Sequence, residues 1–228
     1  MVRENLAKIR QEIAEIATKA GRKPEEIQLI AVSKSQSKDK IIEALAAGQV
    51  LFGENRPQEM KEKAEELQGK GVEWHLIGQL QRNKVRQVVG VSTLIHSVDS
   101  LSLLSEIDRR GEANDLIVNC LLQINISDEP QKGGLEEEDA EKVLLDMEFY
   151  PNVRILGLMG IAEFTDDRDL IRTQFRRLKN AHTRFSTIQH PRVEMKELSM
   201  GMSSDFDIAI EEGATMVRVG TAIFGSRY

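Results

Sequence analysis

The chain has 228 residues, of which 40% are hydrophobic and 30% are charged, and its formal net charge is −6 at pH 7. A chain of this length and composition can form a full apolar core without metal or disulfide support. The acidic balance excludes a protein that binds nucleic acid through a broad basic field, so we expect no nucleic-acid partner.

The N-terminal segment predicts an amphipathic helix, because its apolar residues recur at steps of three and four before Gly21 and Pro24. Short apolar segments then alternate with helical patterns, and no hairpin signal such as Asn-Gly joins them. We predict strands at 27–33, 50–53, 74–78, 94–98, 116–124, 153–159, 195–199 and 216–219. We predict helices at 40–47, 58–67, 101–110, 136–147 and 170–185, with a further helix starting near 206–210.

This alternation predicts an α/β fold with a parallel sheet. The eight predicted strands are the number that closes a (β/α)8 TIM barrel, and the first helix would then be an extra N-terminal element. A doubly wound open sheet shows the same alternation, so periodicity alone does not separate the two. Since we find no repeat, low-complexity segment or linker, we expect a single domain over residues 1–228.

Three features of the sequence predict where in the cell the protein is found. Cys120 is the single cysteine and lies in an apolar run, which indicates a buried, inert thiol and fits a reducing compartment. The charged N-terminus lacks the apolar core of a signal peptide. The longest apolar stretch is too short to cross a bilayer. We therefore expect a cytoplasmic protein without a membrane partner.

Lys34 is the first candidate functional residue, because it comes directly after the apolar segment LIAVS at 29–33. In an α/β barrel the active site lies at the carboxyl ends of the strands. Burial there would lower the pKa of a lysine and supply the neutral amine that a carbonyl adduct requires. The alternative is a lysine that extends from a strand end into solvent, and position alone favours that alternative.

Two loops at neighbouring predicted strand ends are candidate anion sites. The first is SMGMSSD at 199–205, before a helix start, and the second is Val219-Gly220-Thr221. Backbone N–H groups and hydroxyls in such loops attract phosphate, and barrel proteins often bind phosphate after strands seven and eight. Ordinary turn glycines and helix-capping serines are the alternative explanation.

Arg218 and His75 stand in predicted strands. A buried guanidinium needs an acceptor, which is either a carboxylate such as Asp205 or Asp207, or a ligand. His75 is either a buried core histidine whose ring nitrogens are hydrogen-bonded within the protein, or a residue of the pocket. The four histidines have no metal-ligand spacing, so we expect no metal site.

Several motifs together resemble the pyridoxal phosphate homeostasis proteins (the YggS/PROSC family) along nearly the whole chain. The motifs are AVSK at 31–34, FGEN at 52–55, WHLIG at 74–78, LQRNK at 80–84, QINISDEP at 123–130, GLM at 157–159, LSMGMS at 198–203, VRVGT at 217–221 and IFG at 223–225. The resemblance implies the fold of the N-terminal barrel of alanine racemase, and so favours the closed barrel.

The resemblance also implies a cofactor, pyridoxal 5′-phosphate, and the residues that bind it. Lys34 matches the lysine that bears the cofactor as an aldimine, and Arg218 matches the arginine that faces the pyridine nitrogen. The remaining matches are the phosphate cradle and the pocket wall. The cradle is Ser199, the Met200 backbone, Gly220 and Thr221, and the wall is formed by Asn55 and His75.

An arginine at the ring nitrogen cannot accept a proton, so the cofactor would be a weak electron sink. The chain also ends at Tyr228, and we expect neither the C-terminal β domain nor the second base of the racemases. The leading hypothesis is therefore a carrier of pyridoxal phosphate that supports vitamin B6 and amino-acid balance, with no catalytic residue. The alternatives are a slow amino-acid racemase or lyase, and a regulatory module with a protein partner. We expect a monomer, and the recipient, a pyridoxal phosphate-dependent apoenzyme or a regulatory protein, stays open.

Overall fold

The computed structural model describes residues 1–127 and 133–225, and in this part of the chain eight parallel strands close into a barrel. The closure is visible at β1, where Ala31 lies opposite Phe52 of β2 on one side and opposite Val219 of β8 on the other. A doubly wound open sheet has free edges and is excluded. The strands are β1 Gln28–Val32, β2 Leu51–Glu54, β3 Glu73–Leu76, β4 Leu94–Val98, β5 Val118–Gln123, β6 Val153–Met159, β7 Val193–Ser199 and β8 Met216–Val219.

Helices surround the barrel, and an additional helix precedes the first strand, as predicted. They are α1 Val2–Lys19, α2 Lys38–Ala46, α3 Pro57–Glu66, α4 Leu101–Ala113, α5 Glu137–Leu145, α6 Arg168–Phe185, α7 Phe206–Glu211 and α8 Thr221–Phe224. α1 buries its apolar stripe of Leu6, Ile9 and Ile13 and contacts α2, α7 and α8. Within the described residues, no helix combines the length and the apolar character needed to cross a membrane.

The element boundaries differ from the predictions at a few points, each with a local cause. The strand predicted at 116–124 begins at Val118, because Asp115 has a left-handed backbone (φ 54°) and the two residues after it are exposed. The predicted helix over 136–147 ends at Leu145, and Met147 starts a separate 3-10 turn. Cys120 is buried in β5, and burial raises the pKa of its thiol.

The barrel interior has layers, because alternate residues of each strand point inward. The lower layer is apolar and consists of Ile30, Leu94, Leu121, Met159 and Met216. Two residues further along β4 and β8, this period places His96 and Arg218 above that layer. Hydrogen bonds join them to His75 and Ser199 in a polar layer. Above that layer, at the carboxyl ends of the strands, the interior opens into a cavity.

Candidate functional site

The cavity has a volume of about 280 Å³ and lies where parallel α/β barrels place their ligands. Its walls come from the loops after β1, β2, β3, β6, β7 and β8. The lining residues are Val32, Lys34, Gln36, Asn55, Ile77, Ile161, Met202, Ser203, Ser204, Arg218, Gly220, Thr221 and Gly225. Five of the eight residues predicted from the sequence are therefore in the lining, namely Lys34, Asn55, Arg218, Gly220 and Thr221.

Lys34 lies in the turn after β1 and continues the inward-pointing set of Ile30 and Val32. Its side chain lines the cavity but is exposed. The expectation that burial would desolvate this amine is therefore wrong. The physical reason is that Lys34 stands two residues past the end of the strand, where the cavity is open to solvent.

Arg218 is buried in β8 at the base of the cavity. It donates to Ser199 Oγ at 2.6 Å and to the Gly160 carbonyl at 3.1 Å. Burial lowers the pKa of this guanidinium to about 10, so it remains a cation at neutral pH. Its position leaves the charge facing the cavity.

The predicted carboxylate partners of Arg218 are engaged elsewhere. Asp207 forms an ion pair with Arg168 at 2.5 Å, and Asp205 Oδ1 accepts from the Met202 N–H at 2.5 Å. Burial raises the pKa of Asp205, although the positive charge of Arg218 acts against this. Across residues 1–127 and 133–225, no carboxylate forms an ion pair with Arg218, so the explanation by simple charge pairing is not supported.

His75, His96 and Ser199 form one hydrogen-bonded run beneath the cavity. His96 Nδ1 lies 2.9 Å from Ser199 Oγ, and His96 Nε2 lies 3.0 Å from His75 Nδ1. Because Arg218 can only donate, two neutral imidazoles fit this run when Ser199 donates to His96 Nδ1 and His96 Nε2 donates to His75 Nδ1. Burial lowers the pKa of His75 to about 4 and lowers the pKa of His96 as well.

The structure places three of the predicted residues beneath the cavity and not in its lining. Ser199 is fully buried, its hydroxyl is committed to Arg218 and His96, and it is not part of the cavity wall. The Met200 N–H is occupied by the Met216 carbonyl at 3.1 Å. His75 also lies below the wall rather than in it. These groups hold Arg218 and the strands in place, and the structure does not present them to a ligand.

Other groups of the same two predicted loops do reach the cavity. Ser203 and Ser204 line it from the loop after β7, and Gly220 and Thr221 line it from the loop after β8. The N–H groups of these four residues have no acceptor in the described part of the chain. Hydroxyls and free N–H groups at adjacent strand ends form a cradle for an anion. The loop at 199–205 was predicted as an anion site, and its members Ser203 and Ser204 line the cavity in place of Ser199 and Met200.

Asn55 lines the cavity from the loop after β2. Its Oδ1 is buried and has no hydrogen-bond partner in the described residues, which is costly unless a ligand or water supplies a donor. Gly78 makes the close packing here possible, because a Cβ at that position would lie 2.3 Å from the Asn55 carbonyl oxygen.

Sequence reasoning missed His96 as a member of the site, since it was considered only as a metal ligand. The strand period from Leu94 to His96 could have placed it in the interior. Within the described residues, no group of three His, Cys, Asp or Glu side chains could hold a metal ion. The cavity instead combines a primary amine, an anion cradle, a buried cation and an unpaired amide oxygen. This set suits an anionic carbonyl compound that condenses with the amine.

A family model for the alanine racemase N-terminal domain matches residues 5–228. The chain is 38% identical over 224 residues to the pyridoxal phosphate homeostasis protein of Aquifex aeolicus, with 98% of this chain and 97% of the relative covered. It is 39% identical over 229 residues to the protein of that name from Escherichia coli, with 99% and 97% covered. The structure of PipY from Synechococcus elongatus with pyridoxal phosphate bound is 37% identical, with a TM-score of 0.86 and 99% and 100% covered.

Two sequence features named above lie outside the described residues. They are the DEP segment at 128–130, which belongs to the matched QINISDEP motif, and Tyr228.

Proposed function

This chain belongs to the family of the pyridoxal phosphate homeostasis proteins, within the alanine racemase N-terminal domain family, and from that membership we propose that it binds pyridoxal 5′-phosphate through Lys34. The observation that carries the proposal is the single cavity that brings together Lys34, Ser203, Thr221 and Arg218 at the carboxyl ends of the strands. The protein would hold the cofactor in reserve and support vitamin B6 and amino-acid balance.

The residues present fit this ligand group by group. The Lys34 amine would form the covalent link to the aldehyde, and the cradle of Ser203, Ser204, Gly220 and Thr221 would bind the phosphate. Arg218, which forms no ion pair with a carboxylate in the described residues, would face the ring nitrogen. The unpaired Asn55 Oδ1 would accept a hydrogen bond from the ligand or from a water held beside it.

The same residues favour storage over turnover. When bound, the cofactor supplies an aldehyde for amines and a ring that withdraws electrons from carbon. Arg218 is a cation at neutral pH and can only donate a hydrogen bond to the ring nitrogen, so that nitrogen would stay unprotonated and the ring would be a weak electron acceptor. Among the described residues that line the cavity, Lys34 is the one acid–base side chain besides Arg218. Racemisation needs a second proton carrier on the opposite face.

Reduction of the purified protein with borohydride in the presence of pyridoxal phosphate is expected to fix one label per chain. Peptide mass mapping should place it on Lys34. Lys38 and Lys40 are the internal controls, since Lys38 pairs with Glu66 and Lys40 with Gln36 and the Phe224 carbonyl. A Lys34→Ala variant should remain unlabelled, and a Lys38→Ala variant should be labelled like the wild type. Label on another lysine, or none in the wild type, would refute the proposal.

We expect no robust turnover of amino acids by the loaded protein. Single L-amino acids would be incubated with it and the products separated on a chiral column, with a loaded Lys34→Ala sample as the blank. Formation of D-enantiomer or keto acid well above the blank would favour the alternative function, a slow racemase or lyase.

The setting of this function is also part of the proposal. We place the protein in the cytoplasm as a single domain that works as a monomer. Its partners would be the cofactor and a recipient, either a pyridoxal phosphate-dependent apoenzyme or a regulatory protein. The net charge of −6 supports the absence of a nucleic-acid partner.

A further inference from the structure

A cluster of charged residues lies behind Lys34, on the outer side of the barrel wall. Lys63 of α3 is buried, and its Nζ lies 2.7 Å from each of three oxygens. These are the Ser33 carbonyl, Glu54 Oε1 and Glu59 Oε1. A lysine ammonium has three N–H donors, and this geometry uses all of them. We call Lys63, Glu54 and Glu59 the rear cluster.

The rear cluster grips the chain on both sides of Lys34. Ser33 Oγ donates to Glu54 Oε1 at 2.6 Å, and the Ser35 N–H donates to Glu59 Oε1 at 2.5 Å. Ser35 has a left-handed backbone with φ 59°, a conformation that residues with a side chain seldom adopt. A backbone held in this region requires contacts that over-determine it. The bond from Ser35 to Glu59 is such a contact.

The pKa values of the two glutamates show which of them is a charged acceptor for the Ser35 N–H. Glu54 is fully buried, and its desolvation raises the pKa of the carboxyl although Lys63 and Ser33 act against it. Burial also acts to raise the pKa of Glu59, but hydrogen bonds from Lys63 and the Ser35 N–H lower it overall. Glu59 is therefore an anion at neutral pH, and a charged acceptor holds the Ser35 N–H more strongly than a neutral one.

We propose that the rear cluster positions Lys34: Lys63 joins the Ser33 carbonyl to Glu59, Glu59 holds the Ser35 N–H, and the amine is thereby presented to the cavity. Strand alternation makes this possible, because Ser33 faces outward to the cluster while Lys34 faces inward. None of the three members of the rear cluster is among the residues that line the cavity, so they are positioning residues. The inference rests on the proposed role of Lys34 as the attachment site.

The test uses Glu59→Ala, because Lys63→Met would leave Glu54 buried without its cation and can prevent folding. In Glu59→Ala, the amide of Ser35 should exchange hydrogen faster in the cofactor-free protein, measured on a peptide covering residues 33–36. The affinity for pyridoxal phosphate, followed by the absorbance of the covalent link, should fall about tenfold, which corresponds to about 1.4 kcal/mol. Glu59→Gln keeps an acceptor oxygen and should recover part of both effects.

Two controls separate positioning from general stability. Glu65→Ala changes the same helix at an exposed ion pair with Lys61 and should behave like the wild type in both measurements. Ile13→Val in α1 lowers the melting temperature by core loosening and should leave the affinity unchanged. Faster exchange with unchanged affinity in Glu59→Ala would overturn the inference while the labelling of Lys34 stands. An unlabelled wild type would instead overturn the proposed function and the inference with it.

Discussion

Lowering the pH from about 7.5 to about 5 is expected to remove about 2 kcal/mol from the free energy of unfolding through His75 alone, since each pH unit between the two pKa values contributes about 1.4 kcal/mol. In the folded protein burial lowers the pKa of His75 from 6.5 to about 4. Burial lowers the pKa of His96 in the same way. The polar layer beneath the cavity should therefore make the protein acid-sensitive.

The sign follows from where the protons bind. Between pH 6.5 and about 4 the unfolded imidazole of His75 is protonated while the folded one is neutral. The unfolded state thus binds more protons, and stability falls as the pH falls. Glu54 and Asp205 have raised pKa values, and their contribution has the opposite sign. The contributions of these carboxyls to the pH dependence are the same in the wild type and in histidine variants, so they cancel when the variants are compared with the wild type.

Urea unfolding at the two pH values measures the effect. His75→Asn keeps an acceptor near the position of Nδ1 and cannot titrate, so its stability should depend less steeply on pH than that of the wild type. His190→Asn, in the loop before β7, serves as the control and should keep the wild-type dependence. Equal slopes for wild type and His75→Asn would contradict the prediction that His75 is neutral in the folded protein.

A second large effect is expected at Gly157, where Gly157→Ala should cost about 4 kcal/mol or prevent folding, as overpacking and backbone strain combine. A Cβ at this position would lie 1.8 Å from the carbonyl oxygen of Glu197 in β7. The backbone has φ 149°, in a region that residues with side chains rarely adopt. The clash is with backbone, so rotation of a side chain cannot relieve it.

Gly157 stands where the register between β6 and β7 shifts, so the substitution would separate two strands that carry the site. The prediction is tested by chemical denaturation, which compares the loss of unfolding free energy in Gly157→Ala with the loss in Gly69→Ala. Gly69 also has a positive φ (75°), but a Cβ there would meet no atom within 4 Å. The Gly69 variant therefore reports strain without a clash and should lose far less stability. A similar loss in both variants would show that the strand contact is not the cause.

The order and type of the elements were predictable because the buried strands are short apolar runs bounded by turn residues. β4, β6 and β8 were predicted with the bounds that the structure shows. β7 begins at Val193, two residues before the predicted start. The prediction started late because the first half of this strand is partly exposed and carries the polar residues Glu194 and Lys196. The choice between barrel and open sheet depended on the pairing of β1 with β8, which no local pattern contains.

The candidate site was predictable where its residues are placed by their position along a strand. Lys34, Gly220 and Thr221 follow strand ends, and the carboxyl ends of all strands in a parallel barrel meet at one face. Ser199 and Met200 were placed in the cradle instead of Ser203, since a loop of small residues does not show which member turns inward. That depends on the register of β7 against β8 and on the hydrogen bond that Arg218 donates to Ser199 Oγ.

By itself, then, the sequence determined an α/β protein with an amine and two candidate anion loops at adjacent strand ends, because periodicity and turn chemistry are local properties of the chain. Only the tertiary structure decided that Lys34 is exposed and that Arg218 is held by Ser199 rather than by a carboxylate in the described residues. Only the tertiary structure showed that Lys63, which lies 29 residues beyond Lys34, bonds to the Ser33 carbonyl and to Glu59 behind this turn. These features depend on closure of the barrel, which brings side chains that are distant in sequence within hydrogen-bonding distance.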